Sequence, residues 1–135
     1  MQSYLNNQLS LEHLTFELNQ AGSEFYFALN NQRIIGYLKI NFVDAQTELK
    51  DKQAMEIERI YVLKEFYGLG VGQILFDHAL KIGRNKSLQY IWLGVWEENH
   101  RAIRFYEKNG FETFDKHLFL LGSDKQTDLM MKRML

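Results

Sequence analysis

The chain has 135 residues, a hydrophobic content of 46% and a formal net charge of −1, which together indicate one globular domain with one core. The small net charge provides no general attraction to nucleic acid, and no run of about 18 apolar residues indicates a membrane span. The absence of cysteine excludes disulfides, zinc–thiolate sites and a cysteine nucleophile. Because the first residues also lack the pattern of a signal peptide, we expect a cytoplasmic protein that binds neither nucleic acid nor membranes.

The beginning of the chain carries leucines at helical spacing. Leu11, Leu14 and Leu18 recur on one face within residues 4–21, and Gly22 is a suitable end for a helix. The spacing predicts a helix over this segment.

Three strands are predicted next, at residues 24–30, 33–43 and 55–63. The first two flank Asn30-Asn31-Gln32, which is typical of a hairpin turn. Segment 44–54 is charged and loop-like.

The second half of the chain alternates helical and extended patterns. Leu75, Ala79 and Ile82 mark one face of a helix that follows a glycine-rich loop. The remaining predicted elements are a strand at 90–96, a short helix from Asn99 to Asn109 ended by Gly110, and a hairpin of 117–121 with 129–135. This order indicates an α/β or α+β sheet with helices on its faces.

The glycine-rich loop lies in "EFYGLGVGQILF", residues 65–76, where Gly68, Gly70 and Gly72 precede the helical pattern. Glycines at the start of a helix leave backbone N–H groups open to an anion such as phosphate. The spacing fits neither a Walker loop nor the G-x-G-x-x-G pattern. The alternative is a tight strand-to-helix turn whose glycines serve packing alone.

A second candidate segment is "WEENHRAIRFYEKNGFE", in which Asn99 is a good helix N-cap. Helical spacing places Asn99, Ala102, Ile103 and Tyr106 on one face, with the first and last about 10 Å apart along the axis. The alternative is that Asn99 only caps the helix and Tyr106 only packs.

Taken together, the two segments resemble the GNAT superfamily of N-acetyltransferases. Its acetyl-coenzyme A loop, Gln/Arg-x-x-Gly-x-Gly/Ala, is matched by Gly70 and Gly72, with Tyr67 in the Gln/Arg position. Its second motif, Asn-x-x-Ala-x-x-Phe-Tyr-x-x-x-Gly-Phe, is matched by Asn99, Ala102, Phe105, Tyr106, Gly110 and Phe111.

A closer similarity is to bacterial spermidine/spermine N-acetyltransferases of the Pai type, through residues 55–62, 91–106 and 123–135. The resemblance implies one N-acetyltransferase domain over 1–135, with a mixed, mostly antiparallel, twisted sheet and helices on both faces. A strand and a helix usually precede the region where this chain starts, and we expect both to be missing. The sheet edge would then be uncovered, which is a reason to form a homodimer.

The resemblance also implies acetyl-CoA as cosubstrate, no metal, and a small amine such as spermidine or spermine as acceptor. Tyr106 is implied as the acid that protonates the departing thiolate, and Glu58 as the base that takes the amine's proton through water. Period two places Glu56 on the same strand face as Glu58, Ile60 and Val62, as a ligand for a second cationic amine. The alternative is that these glutamates lie on a solvated face.

The cofactor contacts that the resemblance implies lie in three segments. They are the strand end Ile60, Tyr61 and Val62, the loop Tyr67, Gly68, Leu69, Gly70, Val71, Gly72 and Gln73, and the second motif with Asn99, Tyr106 and Lys108. Because no cysteine exists and no serine lies in a nucleophile-elbow pattern, direct attack in a ternary complex is the simpler route.

The acceptor and the activity have alternatives. Between Asp44 and Glu58 acidic residues outnumber lysines, which suits a polycation. An acetyltransferase for an amino sugar, an antibiotic amine or a protein N-terminus stays open, as does a CoA-binding regulatory module without catalysis.

Overall fold

The computed structural model describes residues 9–15 and 22–135, which contain one seven-stranded sheet. The strands are β1 (Leu9–Thr15), β2 (Ser23–Asn30), β3 (Arg33–Phe42), β4 (Ala54–Val62), β5 (Tyr90–Trp96), β6 (Glu112–Leu121) and β7 (Asp124–Met134). The helices are α1 (Val71–Asn85) and α2 (His100–Lys108).

The sheet has the strand order β1-β2-β3-β4-β5-β7-β6. All neighbouring strands are antiparallel except β4 and β5, which are parallel and are connected through α1. The predicted mixed, mostly antiparallel sheet is thereby confirmed.

Local signals for turns and caps account for most element boundaries. Asn31 and Gln32 both have positive φ, 54° and 67°, in the two-residue turn between β2 and β3. Gly110 has a φ of 91° directly after α2, as expected for a glycine that ends a helix. The predicted hairpin and the predicted end of α2 are both confirmed.

The predicted N-terminal helix is wrong where the structure describes that segment. Residues 9–15 form β1, which pairs along β2 from Leu9 opposite Asn30 to Thr15 opposite Glu24. The open edge of β2 offers a full row of backbone partners, and this pairing overrides the local leucine spacing. The strand that we expected to be missing is therefore present as β1, which pairs with β2 and forms the edge of the described sheet. The rest of the predicted helix, residues 4–8 and 16–21, lies outside the described residues.

Both described helices pack against the same face of the sheet. Leu75, Phe76 and Ala79 of α1 are buried there, and Ile103 and Phe105 of α2 pack against the same core. We predicted helices on both faces of the sheet. In the part of the chain that the structure describes, both helices lie on one face.

The opposite face of the sheet is partly covered by the irregular segment 46–53. The Trp92 indole N–H donates to Gln46 Oε1 at 2.6 Å, and the Tyr90 hydroxyl donates to Asp51 Oδ2 at 2.8 Å. These bonds hold the segment, which was predicted to be loop-like, across β5. Within residues 9–15 and 22–135, no helix has the length and apolar character needed to cross a bilayer.

Candidate active site

A split between β4 and β5 is the central feature of the site. The two strands pair over three residue pairs only, from Ala54 with Tyr90 to Glu56 with Trp92. Both strands continue beyond this point, to Val62 and Trp96, without pairing to each other. Backbone groups on the β5 side of residues 57–62 therefore take no partner from β5, and they can bind an extended ligand.

The glycine loop lies between the end of β4 and the start of α1. Gly70 is the N-cap of α1 with a φ of 86°, and Gly68 has a φ of 77°. The first helical bond runs from the Ile74 N–H to the Gly70 carbonyl at 3.1 Å, so the preceding N–H groups have no helical acceptor.

The shape and the open backbone of the loop suit an anion. A Cβ added to Gly68 or Gly70 would meet no atom within 4 Å, so both positions face open space. The first turn of α1 contains no acidic residue. Open backbone, positive φ and the helix dipole together fit a phosphate or pyrophosphate group.

Helix α2 lies alongside the first turns of α1. The Gln73 amide donates to Asn109 Oδ1 at 2.9 Å, and the rings of Phe76 and Phe105 are 6.2 Å apart. At the other end of α2, Asn99 Oδ1 accepts from the Ala102 N–H at 3.2 Å, which confirms its predicted cap. The second motif is thereby positioned next to the glycine loop.

Tyr106 is partly buried against the core, on the helix face of the sheet. Its ring contacts those of Phe105 and Phe111, with centroids 5.5 and 5.6 Å away. No hydrogen bond among the described residues uses its hydroxyl. Burial raises the pKa of Tyr106 to about 12, so the phenol keeps its proton at neutral pH.

A β-bulge at Glu58 changes the predicted faces of β4. Arg59 pairs with Lys39 and Ile57 pairs with Ile40, so Glu58 has no residue opposite it on β3. The residues of β4 that pack on the core are Met55 and Ile57 before the bulge, and Ile60 and Val62 after it. The prediction that Glu56, Glu58, Ile60 and Val62 share one face is therefore wrong, because the extra residue reverses the alternation.

Glu58 points away from the helices and is held by two side chains of β3. Asn41 Nδ2 donates to Glu58 Oε1 at 2.8 Å, and Lys39 Nζ is 2.9 Å from the same oxygen. Burial alone would raise the pKa of Glu58, but the bonds from Asn41 and Lys39, with the charge of Arg59, hold this pKa below its usual value. Glu58 is therefore ionised at neutral pH.

Glu56 is buried and serves the fold. One carboxylate oxygen accepts from Asn41 Nδ2 at 3.0 Å and from the Thr47 N–H at 2.7 Å, and the other accepts from the Thr47 hydroxyl at 2.6 Å. These bonds fix the start of segment 46–53 to β4. Glu56 is thus a structural anchor, and its role as a ligand for a second amine stays a prediction that these bonds do not favour.

Sequence reasoning missed Asn41 and Lys39, which hold the two glutamates. Asn41 is fully buried, and the Ser23 hydroxyl donates to its Oδ1 at 2.7 Å, which directs its amide group toward β4. The available signal was the polar alternation within strand residues 37–41, next to a strand with two glutamates.

Among the described residues, no contact assigns a role to the predicted cofactor residues at the end of β4, in α2 or at position 67. Ile60, Tyr61 and Val62 lie on the diverging half of β4. Lys108 is exposed in the last turn of α2. Tyr67 is half-exposed and contacts Arg101 of α2.

Comparison with known proteins identifies the class. A model of the Acetyltransferase (GNAT) family matches residues 2–111, and the chain belongs to this family. An uncharacterized N-acetyltransferase in the pepI 3′ region of Lactobacillus delbrueckii subsp. lactis is 42% identical over 135 residues, which is 100% of this chain and 78% of the relative. The chain is accordingly an acetyl-CoA-dependent N-acetyltransferase.

Solved structures share the fold. A GNAT family acetyltransferase from Elizabethkingia anophelis with acetyl-CoA bound has a TM-score of 0.73 at 16% identity and covers 96% of this chain and 99% of that chain. The PaiA N-acetyltransferase from Thermoplasma acidophilum in complex with coenzyme A has a TM-score of 0.67 at 24% identity. The match covers 84% of this chain and 62% of that chain.

The open backbone at Gly70 predicts a specific loss of cofactor binding. Gly70→Ala should weaken coenzyme A binding by about tenfold or more, because a Cβ would occupy the space of the ligand. Isothermal titration calorimetry measures this change. Gly122→Ala is the matched control, since Gly122 also has positive φ and open surroundings but lies in the β6–β7 turn. Equal affinities for the two variants would contradict the assignment.

Proposed function

We propose that this chain acetylates a small primary amine by direct attack in a ternary complex at the split between β4 and β5. The observation that supports the proposal is that β4 and β5 diverge just before Glu58, while Tyr106 packs on the helix face of the sheet and Glu58 points to the opposite face. When bound, acetyl-CoA supplies the activated acetyl group as a thioester. The two faces allow cofactor and acceptor to approach from different sides.

The glycine loop and the diverging half of β4 hold the cofactor in this proposal. Backbone N–H groups at the start of α1 bind the pyrophosphate. Backbone groups within residues 57–62 bind the extended pantetheine arm and polarise the acetyl carbonyl. These groups are fixed by the fold before the ligand arrives, which reduces the cost of ordering them.

Tyr106 acts as the general acid toward the departing sulfur. Its hydroxyl makes no hydrogen bond within the described residues, and its raised pKa keeps the proton in place through the neutral range. The thiol of coenzyme A has a reference pKa of about 8.5, below that of Tyr106, so the phenol first stabilises the departing thiolate by donating a hydrogen bond. When the thiolate takes this proton, solvent returns a proton to Tyr106.

Glu58 holds the acceptor nitrogen and orders the water that takes its proton. Because its pKa is lowered, Glu58 does not store the proton at neutral pH. Its ionised carboxylate instead stabilises the positive charge that develops on the nitrogen during attack.

A polyamine such as spermidine is the acceptor that we propose. The Lys39 ammonium lies 2.9 Å from Glu58 and 5.5 Å from the centroid of the Phe25 ring, so carboxylate and ring already hold one alkylammonium group. The acceptor nitrogen can enter as an ammonium group in place of Lys39, and it becomes the nucleophile when it loses a proton to the ordered water. The resemblance to Pai-type enzymes supports the same acceptor.

Removal of the Tyr106 hydroxyl should reduce turnover with little effect on coenzyme A affinity. Tyr106→Phe keeps the packing with Phe105 and Phe111, and turnover should fall about 10²–10⁴-fold, the usual contribution of general acid catalysis. Single-turnover kinetics measure the chemical step. The matched control is Tyr90→Phe, since Tyr90 is also partly buried with a pKa raised to about 12 but bonds to Asp51. Near-normal chemistry in Tyr106→Phe would make Tyr106 a packing residue.

Replacement of the internal ammonium tests the acceptor. Lys39→Met should lower the KM for spermidine because it removes the competing cation, whereas Glu58→Gln should raise this KM. Steady-state assays with spermidine, a monoamine with an uncharged tail, an amino sugar and an antibiotic amine measure the selectivity. Equal efficiency with the uncharged-tailed monoamine would refute the polyamine acceptor and leave the acetyltransferase activity intact.

A further inference from the structure

Tyr67 and Arg101 form a stacked pair beside the glycine loop. The Arg101 Cζ atom lies 3.7 Å from the centroid of the Tyr67 ring. Tyr67 directly precedes Gly68, and Arg101 lies in the first turn of α2. The pair therefore connects the second motif to the rim of the proposed cofactor cradle.

The charge of Arg101 is not neutralised by any ion pair among the described residues. The neighbouring Glu98 lies 3.8 Å from His100 instead. A guanidinium that stacks on an aromatic ring covers one of its faces and keeps its N–H edge available for an anion. A planar cation with open N–H groups is well suited to a phosphate.

We propose that Arg101, held in place by the Tyr67 ring, binds a phosphate group of coenzyme A. This inference rests on the cofactor site of the proposed function. The side chain at position 67 is tyrosine where the family pattern has Gln or Arg, and the stacked Arg101 supplies the missing hydrogen-bond donors and charge from α2. Tyr67 is a positioning residue, and Arg101 is the group that contacts the cofactor.

Direct binding measurements test the proposal without turnover. Arg101→Gln should weaken coenzyme A binding by about tenfold in calorimetry, the loss typical of a charge-assisted hydrogen bond. Arg104→Gln is the matched control, because Arg104 is also an exposed arginine of α2 and its loss changes the net charge equally. Unchanged affinity in Arg101→Gln, or an equal loss in both variants, would overturn the proposal.

The same titration with 3′-dephospho-coenzyme A identifies the phosphate. A similar loss for both ligands in Arg101→Gln assigns the contact to the pyrophosphate. A loss for coenzyme A alone assigns it to the ribose 3′-phosphate. Either result supports a phosphate contact by Arg101.

A double-mutant cycle between Tyr67 and Arg101 tests the role of Tyr67. Tyr67→Phe should bind coenzyme A like the unchanged chain, whereas Tyr67→Leu should lose part of the affinity that depends on Arg101. The double variant Tyr67→Leu/Arg101→Gln should bind no more weakly than Arg101→Gln alone. Additive losses would show that Tyr67 does not act through Arg101. If Gly70→Ala weakens binding but Arg101→Gln does not, this inference fails while the proposed cofactor site stands.

Discussion

The divergence of β4 from β5 is the constraint on which the site depends. A parallel pair that stops after Glu56 and Trp92 leaves backbone groups within the sheet without strand partners. Buried backbone groups without partners are costly, so such a gap is stable only where a ligand or water can satisfy it. The bulge at Glu58 accompanies this divergence and reverses the side-chain faces of β4 at the same point.

The remaining elements position groups around this gap. Helix α1 starts at the open end of β4, because only a short turn and the glycine loop separate them. Helix α2 packs beside α1 through Phe105 and places Tyr106 on the helix face. On the other face, Asn41 links Glu56 and Glu58, so one buried amide joins a structural carboxylate to the proposed catalytic one.

Most of the fold, together with the glycine loop and the second motif of the site, could be predicted from local patterns. Strand-like apolar segments predict β2 to β5, and cap and turn residues such as Asn99 and Gly110 mark the ends of α2. What failed depends on pairing between distant segments. The strand β1 is specified by the edge of β2, and the bulge at Glu58 is specified by the register with β3. Neither leaves a periodic signal within one segment, which is why the faces of Glu56 and Glu58 were predicted wrongly.

Amide hydrogen exchange with and without coenzyme A tests most directly whether the ligand fills the gap between β4 and β5. Exchange should slow within residues 57–62 and in the first turn of α1, since the ligand would bond to backbone groups in both places. Slower exchange in the first turn of α1 alone would mean that the cofactor binds the loop without entering the split. Unchanged exchange in both segments, at saturating ligand, would contradict the central claim.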